Sequence, residues 1–458
     1  IVSAPTGAGK TLIAERLIEK CIKENKGVIY TAPIKALSNQ KFRDFSAQFP
    51  NRVGIITGDV RINPEAEVLI MTTEIFRNYL LQDASKLKDK DWVIFDEIHY
   101  LDDVERGTVW EESIIFLPPH MKLLALSATL PNIDELLGWL KEVHKNPIKK
   151  VVEEERPVPL HFYYQADNLI FSSLNRLEKY MRRKGKSFYK ANRIVDLVKY
   201  LKDRDLLPCI YFLFSRQGCE NLAFKLSRFN FLNEKERKKA VDFYYHYTRR
   251  FRIHDQESVS RIYPLIEKGI AFHHAGLLPP LKEIIERMFT SRLIKLIFTT
   301  ETFALGINMP SRTVCFDEIV KFYRGKLRYL KVRDFYQMAG RAGRRGIDEE
   351  GFVFVRLKPY RNDVSAVRHI IDGSPEPIRS QFNASYATIL NLYRDLKENL
   401  ISIYPLTFHH YQYGKRNTQQ SKLIQAKLDL LKHMRYIREE KLTPKGIFAS
   451  NIFGYELI

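Results

Sequence analysis

Short apolar runs alternate with amphipathic segments along the first 150 residues. Each run is rich in β-branched, aromatic or aliphatic residues, and a helical pattern that begins near Ile34 separates the first two. The predicted strands are 27–32 (GVIYTA), 68–72 (VLIMT), 92–95 (WVIF) and 122–129 (KLLALSAT). Strands that alternate with helices are typical of βαβ units around a parallel sheet. The pattern therefore predicts a first α/β domain over residues 1–150.

A charged segment with two prolines, KKVVEEERPVP at 149–159, interrupts the pattern and predicts a linker. The alternation then resumes and predicts a second α/β domain over 151–372, with basic, aromatic helical insertions at 169–205 and 228–266. Its predicted strands are 208–214, 268–275, 294–300, 313–316 and 351–355. Helical periodicity dominates afterwards and predicts a winged-helix domain and the start of a helical domain over 373–458.

Three local patterns add detail. After the first glycine-rich segment, five apolar residues are predicted to share one helical face: Leu12, Ile13, Leu17, Ile18 and Ile22. Between 412 and 446, nine Lys or Arg residues against three acids indicate either a groove for a nucleic-acid strand or a solvated helix. The core face of that helix would be Leu423, Leu428, Leu430 and Leu431. Residues 313–332 are predicted to form a hairpin, either a wedge between strands or an ordinary edge hairpin.

The charge balance points to a polyanionic partner. Lys and Arg number 74 against 54 Asp and Glu, a net charge of +20, which favours nucleic acid over an anionic membrane surface. No apolar run reaches 18 residues, so we expect a soluble protein without a membrane-spanning helix. Four scattered cysteines without CxxC spacing favour a reducing compartment, the cytoplasm or, in a eukaryote, the nucleus. The chain begins without Met, and we expect it to be an internal segment.

The segment APTGAGKT, residues 4–11, has the context of a phosphate-binding loop, because it follows a short β run and opens a helix. Glycines let backbone N–H groups point at phosphate oxygens, Lys10 adds a positive charge, and the Thr11 hydroxyl suits Mg²⁺. Ala4 stands where the strict motif has glycine, so an ordinary glycine-rich turn is the alternative. The predicted nucleotide-binding residues here are Thr6, Gly7, Ala8, Gly9, Lys10 and Thr11.

The segment VIFDEIH, residues 93–99, supports the phosphate-binding interpretation. An apolar strand that ends in two adjacent carboxylates supplies one ligand for Mg²⁺ and one base for the attacking water. We assign Asp96, with Thr11, to the metal and Glu97 to the base. The alternative, acids that merely solvate a strand end, is common for a single Asp.

Several segments resemble, in order and spacing, the superfamily 2 DExH-box helicases. They are DEIH (96–99), SAT (127–129), TTETFALGINMP (299–310) and QMAGRAGRRG (337–346). Two further segments, at 272–289 and 375–392, are most similar to the Ski/Mtr branch, the RNA helicases that act with exosomes. The resemblance covers nearly the whole chain. It implies two RecA-like domains with ATP in a cleft between them.

The resemblance also implies roles for individual residues. Arg344, with Arg341 beside it, would act as an arginine finger on the γ-phosphate, because a guanidinium forks onto phosphate oxygens. Catalysis is assigned to Lys10, Glu97, Gln337, Arg341 and Arg344. Further contacts with the nucleotide are assigned to Gly306, Asn308 and Gln337. His99, Ser127 and Thr129 would couple the nucleotide site to the nucleic acid.

Loops and helix starts at strand ends are assigned to the nucleic-acid backbone, which carries no base information. The predicted contacts are Pro33, Lys35, Thr73, Glu74, His274, Gly276, Thr299 and Thr300. We therefore predict a helicase that uses ATP and Mg²⁺ and translocates 3′ to 5′ on single-stranded or tailed RNA, with a nuclease complex as a further partner. The alternatives are a DNA repair helicase and a nucleotide-gated RNA clamp with little unwinding.

Overall fold

The computed structural model describes residues 1–144, 147–185, 189–301, 309–323, 325–358, 362–414 and 419–452. The chain divides into two compact units. The first unit comprises Ile1–Ala4, Gly9–Glu154 and Pro377–Ile458, and the second comprises Pro5–Ala8 and Glu155–Glu376. The segment predicted as a third domain thus groups with the first unit. The boundaries drawn from the sequence stay predictions.

The first unit is built on an eight-stranded sheet. Its strands are β1 (Val2–Ser3), β2 (Gly27–Ala32), β3 (Val53–Ile56), β4 (Arg61–Ile62), β5 (Val68–Thr72), β6 (Lys90–Phe95), β7 (Lys122–Ser127) and β8 (Val151–Val152), in the order β4-β3-β5-β2-β6-β7-β1-β8. All neighbouring pairs are parallel except β3 with β4. Every residue of β2 and β5 is buried, as expected for central parallel strands that helices cover.

Five helices connect these strands: α1 (Lys10–Lys23), α2 (Lys35–Gln48), α3 (Thr73–Gln82), α4 (Gly107–Ile115) and α5 (Ile133–Val143). Two 3₁₀ helices, Ala84–Leu87 and Ile98–Asp102, lie between them. The start of α3 is capped by Thr72, whose side chain accepts a hydrogen bond from the N–H of Ile75.

The second unit contains a seven-stranded sheet. Its strands are β9 (Leu160–Ala166), β10 (Leu169–Phe171), β11 (Cys209–Phe212), β12 (Ile270–His273), β13 (Leu296–Thr299), β14 (Thr313–Phe316) and β17 (Gly351–Arg356), in the order β10-β9-β17-β14-β11-β13-β12. Only β9 with β10 is antiparallel. Two parallel sheets of this kind confirm the prediction of two RecA-like α/β domains.

The helices of the second unit are α6 (Leu174–Lys184), α7 (Ile194–Asp203), α8 (Arg216–Lys225), α9 (Glu234–Arg250), α10 (Glu257–Ile266), α11 (Pro279–Thr290), α12 (Val332–Ala339) and α13 (Val364–Asp372). Both predicted insertions contain helices, and Asn233 with Glu236 forms a capping box at the start of α9. Strands β15 (Val320–Tyr323) and β16 (Lys326–Tyr329) pair as a separate antiparallel hairpin with Phe322 71% exposed, as predicted for 313–332.

The C-terminal part is mainly helical, with α14 (Tyr386–Leu396), the 3₁₀ helix Lys397–Leu406, α15 (Phe408–Tyr413), α16 (Gln419–His433) and α17 (Pro444–Ser450). A small hairpin of β18 (Ile437–Arg438) and β19 (Lys441–Leu442) accompanies these helices. The helical character of this part agrees with the prediction, and the winged-helix assignment stays a prediction. In the part of the chain that the structure describes, no helix is long and apolar enough to cross a membrane.

The predicted apolar face of α1 is right for Ile18, Leu17 and Ile22, which are buried or pack partly buried against the core, and wrong for Leu12 and Ile13. The helix buries Ala14, Ile18 and Cys21, whereas Leu12 and Ile13 are 48% and 41% exposed. Leu12 and Ile13 lie in the first turn, where the small residue Ala14 is the one that is fully buried. Small residues allow a helix to approach a sheet closely, so hydrophobicity alone did not identify the buried side.

The predicted core face of α16 is half wrong. Leu428 and Leu431 are buried, but their partner is Ile424, at helical spacing i, i+4 and i+7. Leu423 and Leu430 are 39% and 37% exposed. Leu423 lies one residue before Ile424 and Leu430 one residue before Leu431, so each is turned by about 100° from the buried stripe.

Candidate nucleotide and nucleic-acid sites

The glycine-rich loop has the backbone geometry of a phosphate cradle. Gly7 and Gly9 have φ of +88° and +93°, where a side chain would be strained, and Gly9 caps the start of α1. The ammonium of Lys10 donates a hydrogen bond to the carbonyl oxygen of Ala4 at 2.8 Å. The helix N-terminus and this lysine together offer positive charge to an anion.

Asp96 lies just past β6 and is buried, with 8% of its surface exposed. Its Oδ2 accepts a hydrogen bond from the hydroxyl of Tyr30, a fully buried residue of β2. Burial and then the neighbouring Glu97 carboxylate raise the pKa of Asp96 above its usual range, and Lys41 and Lys10 oppose this shift. A buried carboxylate held by an uncharged hydroxyl favours the binding of a cation.

Lys41 is a site residue that the sequence reasoning missed. Its side chain is on α2 and only 3% exposed, and its Nζ donates a hydrogen bond to Thr11 Oγ1 at 3.1 Å. The ammonium also lies 5.9 Å from the centroid of the Tyr30 ring. A signal was available, because Lys41 lies four residues after Leu37 and four before Phe45, both buried. A lysine within the apolar face of a helix indicates a buried charge, and buried charges are typical of functional sites.

Glu97 adopts a left-handed backbone, with φ of +62° and ψ of +46°. This conformation costs a non-glycine residue on the order of 1–2 kcal/mol and often occurs at functional positions. His99 is 4% exposed, and its Nδ1 lies 3.4 Å from Glu97 Oε2. The structure therefore brings a predicted coupling residue to the predicted base.

The donor set around Asp96 fits Mg²⁺. Carboxylate oxygen from Asp96 and hydroxyl oxygen from Thr11 are the hard ligands that this ion prefers. Lys41 connects the two residues, since it bonds Thr11 and also lowers the pKa of Asp96. Lys10, Thr11, Asp96 and Glu97 are thus grouped in the first unit, as predicted from the P-loop and DEIH segments.

Ser127 and Thr129 follow the same sheet edge. Ser127 is the last residue of β7 and fully buried, and its Oγ has no hydrogen-bond partner among the described residues. Its carbonyl oxygen accepts a bond from the N–H of Ala4 at 3.1 Å, next to the phosphate-binding loop. Thr129 is half-buried. A buried hydroxyl without a hydrogen-bond partner agrees with the predicted coupling role, in which Ser127 would form a hydrogen bond in another state of the protein.

In the second unit, Arg344 is held by one carboxylate. Its Nε and Nη2 donate to the two oxygens of Asp348, each at 2.6 Å, and the pair is 11% and 6% exposed. Gln337, on α12, is 6% exposed, and its Nε2 has no partner among the described residues. The carbonyl oxygen of Arg341 accepts a bond from the N–H of Ser311 at 2.8 Å. The roles of these three residues stay predictions.

Arg156 was also missed by the sequence reasoning. Within the second unit its guanidinium donates to the carbonyl oxygens of Thr6, at 2.6 Å, and Gly340, at 3.0 Å. Burial lowers its pKa to about 10. It lies in the predicted linker at 149–159, where the sequence pattern alone does not distinguish it from the other charged residues.

The four predicted nucleic-acid residues of the first unit lie where β2 and β5 end. Lys35 is exposed at the start of α2, and Thr73 is buried in the first turn of α3. Arg106, which was not predicted, donates to the carbonyl oxygen of Pro33 at 2.6 Å and lies 3.9 Å from Glu74. Its cationic side chain is 38% exposed, so this edge adds a charge suited to phosphate.

The four in the second unit follow β12 and β13. His274 is 4% exposed and bonded to Glu220 at 3.0 Å, and burial lowers its pKa. Thr299 is fully buried and donates to the carbonyl oxygen of His273. Gly276 is exposed and Thr300 is half-buried, which leaves those two with accessible surface. Gly306 and Asn308 lie outside the described residues.

Comparisons place this chain beside known helicases. The DEAD/DEAH box helicase family matches residues 1–136. Human "Exosome RNA helicase MTR4" is 37% identical over 439 residues, which cover 90% of this chain and 42% of the relative. "DExH-box ATP-dependent RNA helicase DExH9" of Arabidopsis thaliana is 40% identical over 427 residues, 86% of this chain and 43% of the relative.

Human "Superkiller complex protein 2" is 38% identical over 428 residues, which cover 86% of this chain and 34% of the relative. The chain thus spans less than half the length of these relatives. Each of these three alignments covers more than four fifths of this chain.

Proposed function

The chain belongs to the DExH-box helicases of the Ski/Mtr branch, and we propose that it couples ATP hydrolysis to the unwinding of RNA. The observation that supports this best is the grouping of Lys10, Thr11, Asp96 and Glu97, with the last two buried or strained in the way that catalytic carboxylates often are.

The chemistry follows from the residues of the first unit. Lys10 and the start of α1 bind the phosphates, and Thr11 and Asp96 are the residues that would hold Mg²⁺. The ion, when bound, neutralises charge that develops on the phosphate oxygens. Glu97 accepts the proton of the attacking water, and His99 at 3.4 Å orients its carboxylate.

Arg344 of the second unit supplies positive charge to the transition state, with Arg341 and Gln337 beside the nucleotide. An arginine finger raises turnover by about 10³–10⁵. Because guanidinium stays charged at every physiological pH, its contribution does not depend on a proton.

The substrate in this proposal is single-stranded or tailed RNA, bound through its backbone and moved 3′ to 5′. The net charge of +20 supports a nucleic-acid substrate. Two of the similar proteins carry "RNA helicase" in their names, and one is named for the exosome. By analogy we assign this chain to RNA processing or decay inside the cell, in contact with a nuclease complex.

The test is the ATPase rate with RNA or DNA of equal length and sequence, followed by strand displacement on matched 3′-tailed and 5′-tailed duplexes. We expect RNA to accelerate hydrolysis and only the 3′-tailed RNA duplex to be unwound. Faster hydrolysis with DNA would indicate a DNA helicase. Hydrolysis without displacement would indicate a nucleotide-gated clamp.

Glu97→Gln tests the base. We expect RNA-stimulated turnover to fall by about 10²–10⁴-fold, because only activation of the water is removed, while ATP binding changes little. Glu105→Gln, an exposed acid on the same loop, is the matched control and leaves turnover unchanged. Turnover near that of the unmodified protein in the Glu97 variant would refute the assignment.

A further inference from the structure

Asp348 follows Arg344 by one turn and binds it through both backbone and side chain. The backbone N–H of Arg344 donates to Asp348 Oδ2 at 2.9 Å, and the N–H of Asp348 donates to the Arg344 carbonyl oxygen at 2.8 Å. With the two guanidinium bonds, this makes four hydrogen bonds between the residues. Asp348 therefore fixes both the backbone conformation and the side-chain orientation of Arg344.

The carboxylate occupies only one edge of the guanidinium. A guanidinium has five N–H groups, and Asp348 takes the one on Nε and one on Nη2. The second N–H of Nη2 and one N–H of Nη1 form the adjacent edge, which matches the oxygens of a phosphate. Asp348 and a phosphate can thus bind Arg344 at the same time.

The pair is also electrostatically complete. Burial alone would raise the pKa of Asp348, but the hydrogen bonds from Arg344 lower it below its usual range. The carboxylate is therefore ionised, and the guanidinium is neither solvated nor left as an isolated buried charge.

From these contacts we infer that Asp348 is a positioning residue that orients the arginine finger for the γ-phosphate. The inference rests on the proposed function, because Arg344 must act on the nucleotide. Without the carboxylate, the long arginine side chain would sample several rotamers, and a misplacement of about 1 Å costs about a hundredfold in rate. The effect falls on turnover and not on the affinity for ATP.

The experiment is a double-mutant cycle on RNA-stimulated ATP hydrolysis with Asp348→Asn, Arg344→Ala and both together. We expect Asp348→Asn to lower kcat about tenfold to a hundredfold and to change the KM for ATP by less than about threefold. In the Arg344→Ala background the same substitution has no further effect, because its target is gone. Glu349→Gln, an exposed neighbouring acid, is the matched control and changes neither constant.

The outcomes are distinguishable. Equal losses from Asp348→Asn in both backgrounds, accompanied by a lower Tm, would mean that Asp348 serves stability and would overturn the inference. A rise in kcat would mean that Asp348 restrains the arginine, which also overturns it. Full activity of Arg344→Ala would instead overturn the finger assignment of the proposed function.

Discussion

Each unit places a buried tyrosine against an aspartate that follows the neighbouring parallel strand. In the first unit Tyr30 is level with Ile94, and its hydroxyl bonds Asp96 two residues further on. In the second unit Tyr211 is level with Cys315, and its hydroxyl bonds Asp317 at 2.7 Å, again two residues further on. The two sheets thus repeat one arrangement in the same register.

The two arrangements differ in the strand that lies on the other side of the aspartate from the tyrosine. In the second unit Arg356 of β17 lies one residue past Val355, which is level with Phe316, and it donates to Asp317 and to the Tyr211 hydroxyl. In the first unit the equivalent position on β7 holds Leu126, which is fully buried. The same tyrosine and aspartate therefore form a closed ion pair in one unit and an open carboxylate in the other.

This comparison suggests how a catalytic site differs from a structural one on the same scaffold. An aspartate with an arginine partner is neutralised within the protein, and its ion pair ties β14 to β17. An aspartate beside a leucine has no arginine to neutralise it at this position. Burial raises its pKa, and a bound cation would stabilise its charged form. The proposed metal ligand of the first unit and the ion-paired aspartate of the second unit thus differ in one neighbour, Leu126 in place of Arg356.

The largest effects come from removing each carboxylate in turn. We expect Asp96→Asn to lower Mg²⁺-dependent ATP turnover at least about a thousandfold, several kcal/mol in the barrier, without lowering the free energy of unfolding. Asp317→Asn should instead lower the free energy of unfolding by about 2–3 kcal/mol, because Arg356 loses its counter-charge in a mostly buried position.

Steady-state ATPase and urea denaturation on both variants give the full pattern. Loss of turnover in both, or loss of stability in both, would show that the two aspartates do not differ in kind. The comparison would then have no functional meaning.

The tyrosine hydroxyls give a smaller and sharper contrast. We expect Tyr30→Phe to raise the Mg²⁺ concentration for half-maximal ATPase about tenfold, because partners of metal ligands typically change metal affinity by about 10–100-fold. Tyr211→Phe is the matched control, since it removes the same group from the other sheet and leaves the Mg²⁺ dependence unchanged. A shift in both variants would indicate a general loss of sheet stability.

Much of the fold was predictable, because central parallel strands are continuous apolar runs. Strands β2, β5 and β14 have the predicted bounds, whereas β3 and β9 were not predicted. Strand β9 contains His161 and Gln165, and β3 contains Gly54, so neither is a continuous run of strand-forming apolar residues. The Tyr–Asp repeat was invisible, since it depends on which residues are level in paired strands, and register does not appear in a single sequence.

The candidate site residues also divide into those that the sequence predicted and those that it did not. Lys10, Thr11, Asp96 and Glu97 belong to local motifs, so their grouping followed from spacing. Lys41 and Asp348 act through contacts made by folding: a helix face in one case and a closed turn in the other. Lys41 left a trace in the apolar pattern of α2, while Asp348 looked like one more acid in a polar stretch.

Glu111 extends the comparison to pH, because it is a buried carboxylate on α4 without an arginine. Its neighbour Glu112 pairs with Arg77 at 2.7 Å, whereas Glu111 accepts from Ser380 and from the N–H of Phe408 at 2.8 Å. Burial raises the pKa of Glu111 from 4.5 to about 8, the hydrogen bonds oppose the shift, and Glu112 adds to it.

The sign follows from the two pKa values. Between about pH 4.5 and 8 the unfolded chain ionises Glu111 while the folded chain keeps it protonated, so its contribution to stability is lost as pH rises through this window. We expect Glu111→Gln, which cannot ionise, to raise the free energy of unfolding by about 1–2 kcal/mol at pH 8.5 and hardly at all at pH 5. Urea denaturation at both pH values measures the difference. If Glu111→Gln changed the free energy of unfolding equally at both pH values, Glu111 would already be ionised in the folded protein. The absence of an arginine partner would then not be enough to keep a buried carboxylate protonated.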